Sequence, residues 1–161
     1  MSQIKKGFLP VFYNDSKVLI LGSFPSVKSR EVEFYYGNLR NKFWRILCSY
    51  FNEEIPQTLQ GKKEFLKNNK IALWDVVTEC EIIGSQDSTI KNYKVADLNL
   101  ILQNCSIELI ILNGNTAFNI FKKHYADINI PYIKLPSTSP ANFKCDEGEW
   151  ENALRRVFKR A

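Results

Sequence analysis

The stretch from Gly22 to Trp44 holds the densest set of side chains able to meet a ligand. It opens with Gly22-Ser23-Phe24-Pro25-Ser26, whose small residues let a backbone come close to a bound group. It continues through Tyr35, Tyr36, Arg40 and Lys42. The tyrosines can stack on a planar base, and the cations can meet phosphate. The same aromatics also suit plain core packing, and pattern alone leaves both readings open. Asp75, in the LWDV of a second apolar run, can reach the same region or hold a loop or cap, the favoured reading. Asp87 and Ser88 are read as caps ahead of a helix. Lys28 and Arg30 can face a polyanion. So can Arg155, Arg156, Lys159 and Arg160, although a basic C-terminal cluster also suits a helix dipole, the favoured reading. The only histidine, His124, sits late in a helical pattern and is read as a surface residue. The four cysteines, Cys48, Cys80, Cys105 and Cys145, form no C-x-x-C pair. They are read as reduced core thiols, with no metal site and no cofactor expected.

These residues need elements to carry them. Four apolar runs read as strands: residues 17–23 (KVLILGS), 71–77 (IALWDVV), 108–114 (ELIILNG) and 131–135 (PYIKL). The first and third are almost unbroken in Ile, Leu and Val, the pattern of strands buried on both faces of a parallel sheet. Between and after them lie stripes at helical spacing. Residues 41–51 place Phe43, Trp44, Leu47, Cys48 and Phe51 on one face. Residues 95–103 carry Val95, Leu98, Ile101 and Leu102, and 116–125 carry Ala117, Ile120, Phe121 and Tyr125. The last helix has Trp150, Ala153, Leu154, Val157 and Phe158 on one side, with Asp146 and Glu149 spaced as a capping box ahead of it. Alternating strands and helices predict an α/β fold: a three-layer α/β/α sandwich around a central four-stranded, mainly parallel sheet. In such sheets ligands bind beyond the carboxyl ends of the strands. That rule points to Gly22–Ser26, to Asn113-Gly114-Asn115, and to Pro136-Ser137-Thr138-Ser139-Pro140.

The chain has 161 residues, read as a single domain over 1–161. Apolar residues make up 45% and charged residues 24%, the balance of an ordinary globular protein. No apolar run approaches the roughly 20 residues that span a bilayer. Residues 1–8 lack the long apolar stretch of a secretory signal. A cytoplasmic protein with no membrane partner is therefore expected. The net charge of +5 modestly favours a polyanionic partner.

Taken in order, GSFPS, YYGNLRNKFW, LWDV, GSQDSTI, ILNGNTA and LPSTSPAN closely resemble the hypoxanthine-DNA glycosylase branch of the uracil-DNA glycosylase superfamily. They are similar, more distantly, to the mismatch-specific uracil and thymine glycosylases. The resemblance runs from about Gly7 to the final helix. It implies that Gly22, Ser23 and Phe24 line a base pocket and that Tyr36 stacks on a flipped base. It implies that Asn41 serves catalysis and that Asn113 hydrogen-bonds the base. It also implies that Ser137, Thr138, Ser139 and Pro140 press on DNA; Pro25 and Ser26 of the first loop, with the cations Lys28 and Arg40, are expected to meet DNA beside them. Three departures stand out. Phe24 replaces the Asp or Asn that many relatives use to hold water, and Leu135 replaces a His. Cys80-Glu81-Ile82-Ile83 stands where this branch often has a basic residue before GS-x-D-S.

What the resemblance implies is a monofunctional enzyme. It would flip a deaminated base (hypoxanthine, xanthine or uracil) out of DNA and hydrolyse its N-glycosidic bond, leaving an abasic site. Asn113 would stabilise charge on the departing base, since an amide both donates and accepts. Asn41 would orient water or base; it cannot be a strong general base. A monomer with no obligate protein partner is expected. Two rivals stand beside this reading: an inactive relative that only binds damaged DNA, and a different α/β hydrolase acting on nucleotides.

Overall fold

The computed structural model describes residues 3–159, so Arg160 of the C-terminal basic cluster lies outside them. In chain order the strands are β1 (Ile4–Lys6), β2 (Val18–Gly22), β3 (Ile71–Asp75), β4 (Val77–Glu81), β5 (Lys91–Val95), β6 (Leu109–Asn113) and β7 (Tyr132–Leu135). The helices are α1 (Val27–Val32), α2 (Phe43–Tyr50), α3 (Leu59–Asn68), α4 (Asn99–Leu102), α5 (Asn115–His124) and α6 (Glu147–Arg155).

The four expected strands form one parallel sheet in the order β3-β2-β6-β7. Every residue of β2, β3 and β6 is buried, so helices must cover both faces. This is the predicted α/β sandwich. Register then sets the neighbours at the carboxyl edge: Gly22 pairs with Asp75, and Asn113 with Leu135.

The helices required corrections. The stretch 95–103 is not one helix. Val95 ends β5 and pairs with Val77, and the helix shrinks to α4, preceded by the Asp97 carboxylate accepting from the Asn99 amide at 3.2 Å. The strand partner supplies Val95 with burial and hydrogen bonds that a helix would have to replace. Asn41 precedes α2 instead of starting it; its Oδ1 accepts from the Phe43 amide at 2.9 Å. Asp146 does cap α6, but its carboxylate takes the Gly148 amide at 2.8 Å, and the amide of Glu149 meets the Asp146 carbonyl. Val157 and Phe158 lie past the end of α6 yet still pack on the core.

A second sheet was not foreseen. Strands β1, β4 and β5 pair antiparallel in the order β1-β4-β5. The run read as one strand, 71–77, divides at Val76. There the amides of Val76 and Val77 bond the carbonyls of Gly22 and Ser23 at 2.8 and 3.1 Å. The chain thus leaves the parallel sheet at Asp75 and enters the other one. Helices α1 and α3 also went unpredicted; Ser26 and Thr58 cap them through their hydroxyls.

Candidate active site

The carboxyl edge of the parallel sheet opens into a cavity of about 270 Å³. Gly22 lines it from the end of β2, and Ser23, Phe24, Pro25 and Ser26 from the loop that follows. Tyr35, Tyr36, Asn38 and Asn41 come from the segment before α2, and Asp75 from the end of β3. Ser85 and Asp87 come from the loop after β4, Asn113 from the end of β6, and Ser137 to Ala141 from the loop after β7. Twelve of the fourteen residues singled out from sequence therefore meet in one place. The other two, Lys28 and Arg40, are not among the lining residues. Lys28 is exposed and pairs with Glu31 at 3.5 Å. Arg40 is exposed on the rim segment, its amide bonded to Asn38 Oδ1 at 2.9 Å.

Each wall has a local cause. Ser26 caps α1, and the amide of Val27 donates to Ser85 Oγ at 2.8 Å, joining two lining loops. Arg30 donates to the carbonyls of Pro25 and Gly84 and lies 5.6 Å from the Phe24 ring centre. It braces the wall where the sequence allowed a polyanion contact. Phe24 itself is buried.

The tyrosines divide the two readings left open above. Tyr35 is core: it is buried, and its hydroxyl donates to the Leu9 carbonyl at 2.7 Å. Tyr36 adopts a left-handed backbone with φ 54° and lays its ring on Phe43, centroids 3.9 Å apart and planes 21° apart. Its hydroxyl is buried beside the Asn113 side chain. Burial and then the Asp75 carboxyl push this phenol well above its ordinary range, and Asn113 pulls it down in part.

Asn113 is tied to the facing loop through both ends of its amide. Its Nδ2 donates to Thr138 Oγ1, and its Oδ1 accepts from the Thr138 amide, each at 3.0 Å. A carboxamide has two N–H groups and two lone pairs, so one of each remains. Gly114 follows at φ 97°, a conformation side chains resist, with Ser137 against it. The amide of Lys42 bonds the Thr138 carbonyl at 3.0 Å, so the Asn41 segment, β6 and the β7 loop are stitched together.

Two carboxyl groups in the cavity had been given other roles. Asp75 was favoured as a loop or cap holder. It is only 5% exposed, its Oδ2 has no hydrogen-bond partner among the described residues, and burial together with Asp87 pushes its carboxyl up to about 8. Asp87 was expected to cap a helix. It lies instead in a short 3-10 turn, Asp87–Thr89, that leads into β5. Its carboxylate accepts the Ser23 hydroxyl, 2.9 Å from each oxygen. The only usable sequence signal for either was an acid placed directly at a strand end or beside a Gly-Ser turn.

His124 is exposed and meets the Tyr93 hydroxyl at 3.1 Å, outside the cavity lining. The four cysteines are free, with Cys48, Cys80 and Cys105 buried and Cys145 partly so. No helix among the described residues is long and apolar enough to cross a membrane.

Gly22 is the tightest point of the floor. A Cβ there would lie 2.6 Å from Asp75 Oδ1 and 3.1 Å from Tyr36 Oη. Gly22→Ala is expected to cost about 1–3 kcal/mol through overpacking. Urea denaturation measures this, and an unchanged midpoint would contradict the close approach.

The profile of the Uracil DNA glycosylase superfamily matches residues 10–158. The chain is 36% identical over 157 residues to the Hypoxanthine DNA glycosylase of Methanosarcina acetivorans, covering 94% of this chain and 99% of the relative. The Hypoxanthine DNA glycosylase of Methanosarcina barkeri is similar at 36% identity over 157 residues, with the same coverage. The fold is similar to the solution NMR structure of a Methanosarcina acetivorans protein provisionally assigned as a uracil DNA glycosylase. The TM-score is 0.85 at 34% identity, over 96% of this chain and 98% of that one.

Proposed function

We propose that this chain, which belongs to the Uracil DNA glycosylase superfamily, is a monofunctional DNA glycosylase that removes hypoxanthine, and secondarily xanthine or uracil, from DNA. The observation that carries the reading is the cavity. It gathers Tyr36, Asn41 and Asn113 with the two Ser/Pro-rich loops at the one edge of the sheet where a ligand is expected. Relatives named for hypoxanthine removal support the choice of base.

The cavity volume lies just below the roughly 300–1,000 Å³ typical of drug-sized ligands, a size for one planar heterocycle. A base in duplex DNA must be flipped to enter, at a cost of a few kcal/mol. Tyr36, backed by Phe43, offers a rigid platform for stacking. The spare N–H of Asn113 can meet a base oxygen or nitrogen whose negative charge grows as the bond breaks. Asn41 has its oxygen committed to the Phe43 amide, so its Nδ2 is the end free to orient base or water. No lysine lines the cavity among the described residues, which supports simple hydrolysis over Schiff-base chemistry.

The rival, a binder without activity, draws on Phe24 and Leu135 standing where relatives hold reactive groups; both are buried apolar side chains here. The test is a set of duplexes carrying inosine, xanthosine, uracil or mismatched thymine, incubated with the protein and treated with alkali. Strand cleavage at inosine is the expected result. Tight binding with no cleavage of any duplex would select the binder.

Affinity should fall steeply with salt, because cations that neutralise phosphate release counterions. Lys28→Ala and Arg40→Ala should each flatten the slope of log K against log salt by about 1 and weaken all duplexes alike. Binding indifferent to salt would place the DNA on another surface.

A further inference from the structure

Two acids lining the cavity have no part in the chemistry described so far: Asp75 is buried, and Asp87 is an exposed residue whose carboxylate turns in to the Ser23 hydroxyl. Asp75, the last residue of β3, faces the gap left by the missing side chain of Gly22. Its Oδ2 is buried and unpaired among the described residues, in the cavity that Tyr36 and Asn113 also line. Buried polar atoms are nearly always paired, so an unpaired one at a cavity floor calls for a partner from a ligand. Asp87 is treated differently: the Ser23 hydroxyl donates to it, and Thr116 also hydrogen-bonds it, both favouring the ionised form. One carboxyl is thus desolvated with an unpaired oxygen, while the other is supplied with donors. Burial lifts both carboxyls, but the Ser23 and Thr116 donors hold Asp87 down while Asp75 has no such donor to its Oδ2, and a separation of that kind marks an acid and a base.

We propose that Asp75 and Asp87 are the acid and base of this site, Asp75 giving a proton to the departing base and Asp87 receiving one from the attacking water. The proposal rests on the glycosylase reading and adds the groups that balance its protons. As the bond between the sugar C1′ and the base nitrogen breaks, its electron pair goes to the base. The Asp75 proton passes to an acceptor on the base edge, so the base leaves neutral. The Asp87 carboxylate steadies the positive sugar. Water then bonds to C1′ and gives its proton to Asp87. Exchange with solvent returns Asp75 to its acid form and Asp87 to its carboxylate. No metal, oxidant or further reactant enters the balance. This supplies the carboxylate that Phe24 leaves missing from the first motif, from a turn 63 positions further along.

The pH dependence follows. Asp87, Tyr35 and Tyr36 are the titratable groups that interact with Asp75, and its carboxyl ionises at about 8. The rate should therefore fall as pH rises past that point and the acid form is lost. Asp87 interacts with Asp75, Tyr36 and Cys80; burial raises it above the ordinary carboxylate range while Ser23 and Thr116 pull it back. The rate should fall again in acid, as Asp87 protonates.

The experiment is a single-turnover pH profile on an inosine duplex for the wild type, Asp75→Asn, Asp75→Ala, Asp87→Asn and Asp87→Ala. Asp75→Asn keeps an N–H donor that does not titrate. It should lose the alkaline limb and stay within about tenfold of the wild-type plateau, whereas Asp75→Ala should lose about 100-fold or more. Both Asp87 variants should lose about 100-fold or more, and Asp87→Asn should lack the acid limb. Thermal melting gives a readout without activity. Asp75 has a folded pKa above its unfolded value, so the wild type loses stability as pH rises toward and through about 8. Asp75→Asn should not show that loss. An alkaline limb of the rate, or a loss of stability between the ordinary carboxylate range and about pH 8, that persists unchanged in Asp75→Asn overturns the assignment, as do wild-type rates in the Asp87 variants. Wild-type protein that excises no base overturns the glycosylase reading and this assignment with it. Wild-type excision with unaltered limbs in the variants overturns this assignment alone.

Discussion

Asn113→Ala is expected to lower the single-turnover rate of inosine excision by about 100-fold or more, the scale of losing one donor to a developing anion. Two losses combine. The spare N–H no longer meets the departing base, and the paired bonds to Thr138 that hold the β7 loop over the cavity disappear. Thr138 is buried at 1% exposure, so its amide would be left without the Asn113 oxygen. Asn113→Asp separates these effects. It keeps an acceptor for the Thr138 amide but removes the N–H groups, so the loop should stay near its place while the rate still falls. Asn41→Ala should also slow the chemical step, with duplex binding near wild type because phosphate contacts supply most of the affinity. Excess enzyme isolates the chemical step from slow product release. Wild-type single-turnover rates in both alanine variants would remove these asparagines from the mechanism, whatever the fold.

Trp150→Ala should be the most destabilising single change, at about 3–5 kcal/mol. Total stability of a domain is only about 5–15 kcal/mol, so this variant should be close to unfolding at moderate temperature. Trp150 is fully buried on α6. Its ring stands edge-on to Phe43 with centroids 6.4 Å apart, and Phe43 in turn backs Tyr36. Its Nε1 donates to the Pro136 carbonyl at 2.9 Å, at the root of the β7 loop. One side chain thus supports the stacking platform and the loop that faces it. Trp150→Phe keeps most of the packing but leaves that carbonyl with only a long Cys145 thiol contact, 3.8 Å. It should cost less, about 1–3 kcal/mol, and still lower excision through the loop. Urea denaturation measures both. A Trp150→Ala midpoint equal to wild type would mean the helix does not anchor the site.

The sequence by itself determined the frame of the site. Unbroken Ile, Leu and Val runs identified β2 and β6 as strands buried on both faces, and Gly, Pro, Ser and Asn clusters marked the loops after β2, β6 and β7. Parallel strands put those loops at one edge, so the meeting of Gly22, Asn113 and Thr138 followed from segment type, whereas Asn41 was reached only through the family resemblance. Ordered motifs then named the family. These properties are local: each segment's periodicity is dictated by its own backbone geometry.

Tertiary structure alone decided the rest. Strand β1 has three residues and β5 reads KNYKV, so neither carries a strand pattern strong enough to stand alone. Both exist because β4 offers them a partner, and that same pairing took Val95 away from a helix. Asp75 and Asp87 were legible only as acids near loops. What gives them chemical interest is the absence of a Cβ at Gly22, the hydroxyl of Ser23, and each other's charge. The protonation of a carboxyl is governed by desolvation and by charges brought near it. Those neighbours lie 53 and 64 positions away along the chain for Gly22–Asp75 and Ser23–Asp87, so only folding sets them.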